Sequence, residues 1–186
     1  MQIFAPMTKN YGARKYQHEL SERLLSIFRQ YNNEDYRVEI EWKAFKEFNR
    51  YRYSPEVDIA IGPFNDETAS KNLRYVYNDF VYHDTNLRKF LSGAFNYHAQ
   101  NMKAELYTDY VPFSFQEAIS QNENARCLLA IEIENTSTKK HIMGSIVNAA
   151  SLGRVGIGIG YEEKALKAFL RIVNYLSFLK KVEKNT

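Results

Sequence analysis

A single α/β domain, with a central mixed β-sheet flanked by helices, is what this sequence predicts, and three observations carry the prediction. Residues 36–45, 57–62 and 127–135 alternate apolar and polar or small side chains with the period of a strand. Residues 11–32 and 162–182 repeat apolar side chains every three to four positions, as a helix does. The stretch from 127 to 160 reads strand, helix, strand, a unit that closes right-handed with its strands parallel.

Taken in order, the first helix (YGARKYQHELSERLLSIFRQYN, 11–32) gathers Tyr16, Leu20, Leu24, Ile27, Phe28 and Tyr31 on one face and leaves Arg14, Lys15, Arg23 and Arg29 wet. YRVEIEWKAF (36–45) is expected to turn Tyr36, Val38, Ile40, Trp42 and Ala44 to the core, with Glu39 and Glu41 on a solvated face. VDIAIG (57–62) sets Val57, Ile59 and Ile61 against Asp58, Ala60 and Gly62, and Pro63 ends it because proline has no donor for the ladder. Residues 64–126 mix signals, with a helix expected around NLRKFLSGAFNYHAQNM and a turn-rich stretch after it; they read as an inserted subregion of one domain spanning 1–186. CLLAIEIEN (127–135) places Leu129, Ile131 and Ile133 opposite Ala130, Glu132 and Glu134. A helix follows, with Asn135, Thr136, Ser137 and Thr138 as capping candidates and Gly153 as its stop. VGIGIG (155–160) is expected to be a short buried strand, and residues 162–182 close the chain through Leu166, Phe169, Leu170, Val173 and Leu176.

Composition bounds the function less tightly. A chain of 186 residues is long enough for one real core. A net charge of +3 permits a polyanionic partner without requiring one, and fourteen tyrosines suit a binding surface without proving it. Cys127 is the lone cysteine, so it has no intramolecular disulfide partner and reads as a small core residue. The start MQIFAPMTKN lacks a secretory pattern and no apolar run approaches the roughly 18 residues of a membrane span, so a cytoplasmic protein with no membrane partner is expected. His18, His83, His98 and His141 show no metal-ligand spacing. The glycines of GRVGIGIG lack the order of a phosphate-binding loop, and their role is read as letting a helix pack closely. KAFKEFNRYRYSP (43–55) mixes cations with aromatics and reads as ordinary surface, with contact to a nucleic-acid backbone as the alternative.

The acidic residues ask for an explanation. Asp58 interrupts an apolar strand, and Glu132 and Glu134 sit two apart in another, where the pleat aims both the same way. A carboxylate buried unpaired costs several kcal/mol, so these must reach water, cations or metal. Ala60, Ala130 and Gly62 leave room beside them, and hard oxygen ligands suit Mg²⁺ or Mn²⁺.

SPEVDIAIGP, followed by AIEIEN and KKHIMGSIVNAASLGRVGIGIG, resembles the PD-(D/E)xK nuclease superfamily, the restriction-endonuclease-like fold. The resemblance covers most of the chain in element order, though its motif is only a handful of residues. It implies a metal-dependent DNA endonuclease in which Asp58 is the family aspartate, Glu132 the acid of the triplet and Glu19 the helix glutamate, with Glu22 competing for that place. Asp58, Glu132 and Glu134 would hold Mg²⁺ or Mn²⁺. The sequence departs from the pattern at Glu134, which stands where the family has lysine; the glutamate itself, or Lys139 or Lys140 at the next helix start, would take over that role. A second departure is length, since Asp58 and Glu132 lie 74 positions apart. The resemblance also allows a homodimer, as in relatives that cut two strands. Loss of the lysine favours an alternative: a catalytically inactive module of the same fold that binds nucleic acid or a protein.

Overall fold

The computed structural model describes residues 12–29, 36–45, 54–65, 73–105, 113–120 and 122–182. Its elements run α1 (Ala13–Arg29), β1 (Val38–Lys43), β2 (Glu56–Ile61), α2 (Arg74–His83), α3 (Thr85–Ala104), α4 (Phe115–Ser120), β3 (Cys127–Glu134), α5 (Lys139–Leu152), β4 (Gly153–Gly160) and α6 (Glu163–Val182). The strands lie in the order β1-β2-β3-β4, the first two pairings antiparallel and the last parallel. The architecture is therefore α/β with a mixed sheet and helices on both faces. Tyr31 and most of the 43–55 stretch fall outside the described residues.

Apolar burial explains the two layers. On one face Leu20, Leu24 and Phe28 of α1 join Tyr77, Phe80 and Val81 of α2 and Leu87 and Leu91 of α3 over Ile59, Ile61, Leu129 and Ile131. On the other, Ala149 and Leu152 of α5 cover Ala60 and Ala130, and α6 packs on α5 through Ala168, Phe169 and Ile172 around Ile142. The inserted subregion is helical in its described parts. Asp84 ties it down: its carboxylate accepts the Asn86 and Leu87 amides as the N-cap of α3 and the Tyr36 hydroxyl at 2.8 Å.

Three expectations need correction. Tyr36, Val38 and Ile40 pack with the α1 side, whereas Trp42 and Ala44 pack with Val57 on the α5 side, so the alternation of residues 36–45 changes phase and Val57 joins Ala60 rather than sharing a face with Ile59 and Ile61 as expected. The change falls at Glu41, whose φ of 50° puts it in the left-handed region and rotates the rest of the strand. The segment 155–160 is also no buried strand. Among the described strands β4 has β3 as its only neighbour, Val155, Ile157 and Ile159 are half-buried, and Gly156 and Gly158 are exposed.

The close-packing role of the β4 glycines does hold. A Cβ on Gly160 would run into the backbone nitrogen and Cα of Leu166, atoms that move only if α6 moves. Gly160→Ala is expected to cost about 3 kcal/mol, the upper end of overpacking effects, read as a lower urea midpoint. An unchanged midpoint would show that α6 shifts freely.

Candidate metal centre

Strand register brings Asp58 to Glu132. β2 and β3 pair Ala60 with Ala130 and Ile59 with Ile131, and one step further the same antiparallel register faces Asp58 with Glu132. There the main-chain pairing stops and a side chain takes the place of the ladder. Asp58 Oδ2 accepts the Ile133 main-chain N–H at 2.6 Å. From behind, Gln17 of α1, itself 6% exposed, donates Nε2–H to the Asp58 carbonyl at 2.7 Å.

The Asp58 and Glu132 carboxyl groups hydrogen-bond to one another, which requires a proton between them. Burial, then the Asp58 charge, pushes Glu132 up to about 8. Burial also raises Asp58, but the Ile133 amide and the bond to Glu132 oppose the rise. At neutral pH the proton accordingly belongs to Glu132. The charge of Glu134 raises both groups, and Glu41, set across β1 from Asp58, adds to the rise there. Glu41 is exposed, as its place on a solvated face predicts, yet its field reaches the site.

Glu132 is 7% exposed and its Oε1 is buried with no hydrogen-bond partner. Glu134 differs: its Oε1 accepts the Ser145 hydroxyl at 2.6 Å and its carbonyl accepts the Tyr161 N–H at 2.8 Å. Asn148, one turn after Ser145 on α5, donates Nδ2–H to the Glu56 carbonyl at 3.2 Å and reaches Glu132, favouring its charged form.

The structure thus unites Asp58, Glu132 and Glu134. Glu19 lies half-buried on α1 with Oε2 shut away from solvent and unpartnered, while its competitor Glu22 is exposed. Lys139 and Lys140 are not brought to the carboxylates: both are exposed on the first turn of α5, form no ion pair among the described residues, and are absent from the charges that Asp58 and Glu132 feel. Among the described residues the side chains that reach the three acids are neutral: Ser145 at the Glu134 carboxylate, Asn148 at Glu132 and Gln17 at the main-chain carbonyl of Asp58. Two carried a usable signal, since Gln17 begins the apolar stripe of Leu20, Leu24 and Phe28, and Ser145 interrupts that of Ile142, Ala149 and Leu152. A polar residue in a core stripe must find a polar partner across it.

A buried, unpartnered carboxyl oxygen on Glu132 and the oxygen donors of Asp58 and Glu134 are of the chemical type a hard divalent cation takes, whereas among the described residues nothing joins Glu19 to them. Among the described residues no group of three or more His, Cys, Asp or Glu stands arranged to hold a metal ion. Asp58 and Glu132 are joined through a proton, and Asp58 Oδ2 and Glu134 Oε1 are taken by Ile133 and Ser145. A cation would have to displace that proton.

A cavity lies elsewhere among the described residues. About 350 Å³ in volume, it runs along β4 between α3, α4 and α6, lined by side chains such as Phe95, Ile119, Ile157, Phe169 and Leu170 and by none of the three carboxylates. His98 lines it, its pKa lowered by burial. No helix of the described residues is long and apolar enough to cross a membrane. Comparison with protein-family models, curated proteins and solved structures finds no match.

Proposed function

We propose that this chain is a metal-dependent nuclease-like domain acting on DNA, of the restriction-endonuclease-like fold. The observation that carries the reading is the meeting of Asp58 and Glu132 on adjacent strands, with a buried oxygen of Glu132 left without a partner. The order α1, β1, β2, β3, α5, β4, with its two antiparallel pairings and one parallel one, supports it as the arrangement the resemblance implies.

Asp58 and Glu132 would hold Mg²⁺ or Mn²⁺, with Glu134 as a further ligand. Such a cation, when bound, polarises a phosphoryl oxygen and lowers the pKa of water. Ser145 keeps one oxygen of Glu134 occupied, which leaves the other for the cation or for an attacking water. Lys139 and Lys140, unfavourable where they stand at a helix N-terminus, would gain an anionic partner from a backbone phosphate.

The test is cleavage of single-stranded, duplex and branched DNA with Mg²⁺ or Mn²⁺, comparing the wild type with Asp58→Ala and Glu132→Ala. Both variants are expected to lose activity. Cleavage indifferent to both changes would remove the proposal. One observation favours an inactive binding module instead: among the described residues no cationic side chain meets the carboxylates at the position the family gives to lysine. Under that reading the wild type binds DNA without cutting it and takes up no metal at Asp58.

A further inference from the structure

Strand β4 ends the sheet among the described residues, and its free edge is bare main chain. The Tyr161 N–H donates to the Glu134 carbonyl at 2.8 Å, which in a parallel ladder turns the odd-numbered residues of β4 to β3 and sends the N–H and C=O groups of Gly156 and Gly158 the other way. Both glycines are exposed, and a glycine has only main-chain atoms to expose. Such groups take water or a ligand as their partner.

The 350 Å³ cavity runs along that edge, and both layers of the fold wall it in. Leu91 and Ile119, from α3 and α4, belong to the core on the α1 side, whereas Phe169 of α6 belongs to the core around Ile142. Phe95, Phe113, Phe115 and Phe169 all line it, with Phe95 and Phe115 in edge-to-face contact at 5.9 Å between ring centres. Among the described residues the lining holds no Lys, Arg, Asp or Glu. Its polar side chains are Tyr97, His98 and Asn101 of α3, and burial lowers the His98 pKa, so the imidazole is uncharged at neutral pH. Protein interiors are otherwise filled to the density of organic crystals, so an apolar space of this size between packed elements has room for a guest. Water suits it poorly, since a held water needs roughly two to four polar partners and these walls are mostly hydrocarbon. Tyr97, 43% exposed, and the two glycines mark its opening to solvent.

We propose that this cavity is a binding site for a small, flat, uncharged molecule of largely aromatic character, whose one hydrogen-bonding group pairs with the main chain of Gly156 and Gly158. At about 30 Å³ for each water-sized unit, the space takes roughly a dozen non-hydrogen atoms, the size of two fused rings with one substituent. An apolar ring gains affinity by displacing poorly held water, and the phenylalanines offer edges and faces that favour a ring over a chain. A charged group would enter without a countercharge, which disfavours carboxylates and amines of the same size. Asp58, Glu132 and Glu134 line no part of this site, so it stands independently of the metal-site reading.

The probe is 2-naphthol, titrated calorimetrically into the full chain at pH 7 alongside naphthalene and 2-naphthoate. One 2-naphthol is expected to bind per chain, naphthalene several-fold more weakly for want of the hydroxyl, and 2-naphthoate at least roughly tenfold more weakly for its charge. Ala94→Phe and Ala118→Phe each set a ring into the cavity, from α3 and α4, and should weaken 2-naphthol binding by roughly tenfold or more. Saturating 2-naphthol should also raise the melting temperature of the wild type and leave that of either folded variant unmoved, a readout that stands if one variant fails to fold. No binding of 2-naphthol, wild-type affinity in both variants, or tighter binding of 2-naphthoate would overturn the site. Naphthalene matching 2-naphthol would overturn the main-chain hydrogen bond. A wild type that is dimeric by light scattering and monomeric in both variants would give the space to a second copy of the chain, and overturn the proposal as well.

Discussion

Under the proposed metal site, Mn²⁺ binding is expected to release about one proton at pH 7 and to strengthen by roughly tenfold per pH unit between pH 6 and 7. The cause is the proton that Glu132 shares with Asp58. Burial and the neighbouring charge hold the Glu132 carboxyl protonated up to about 8, and a cation cannot occupy the same oxygens. Each Mn²⁺ bound below that pH must send one proton to the buffer, so the affinity gains a factor of ten for every tenfold drop in proton concentration. Above pH 8 the dependence should flatten. Calorimetry in two buffers of different ionisation enthalpy reads the proton directly. Uptake without proton release would mean that the ion binds away from Glu132.

The same proton predicts that the metal-free protein loses stability as the pH rises. Glu132 has an ordinary value of 4.5 and a folded value of about 8, so the folded chain holds the proton more tightly than the unfolded one. The stability contributed by that difference is fully present below pH 4.5 and disappears as the pH passes through 8. Asp58 is raised in the same direction from 3.8, which starts its share of the loss at lower pH. Because the two groups share one proton, the combined loss between pH 5 and 9 is expected at about 4 kcal/mol, set mainly by Glu132, rather than at the sum of two independent shifts. Glu132→Gln stays neutral throughout and should flatten most of the slope, leaving it more stable than the wild type at pH 9. Under the proposed metal site, saturating Mn²⁺ should restore the wild type there, because an ion held only by the folded chain stabilises it. Urea midpoints across the pH range measure all three effects. A wild type equally stable at pH 5 and 9 would show that Glu132 is ionised at little cost.

Much of this was legible from periodicity alone. The apolar runs around Asp58 and through Glu132 mark both strands, and acids within them single out the three carboxylates before any coordinates are known. The bounds of α1, β2, β3 and α5 lie within a few residues of those the repeats indicate, because an amphipathic pattern is a local property of the chain. The helices between β2 and β3 are harder to read, since α2 mixes polar and apolar positions around Tyr77, Phe80 and Val81 and docks chiefly through those three.

What the tertiary structure alone decides is the company each acid keeps. That Asp58 faces Glu132, and that the proton rests on the latter, depends on antiparallel register between residues 74 positions apart and on burial beneath α5. Local sequence holds no record of either. Glu41 turns the pleat of β1, Lys139 and Lys140 stay in solvent, and Gln17, Ser145 and Asn148 reach the site instead. The side-chain pattern determined which segments would be strands and helices; their packing determined which polar groups became neighbours, because hydrogen bonds and proton affinities depend on distances in space and not along the chain.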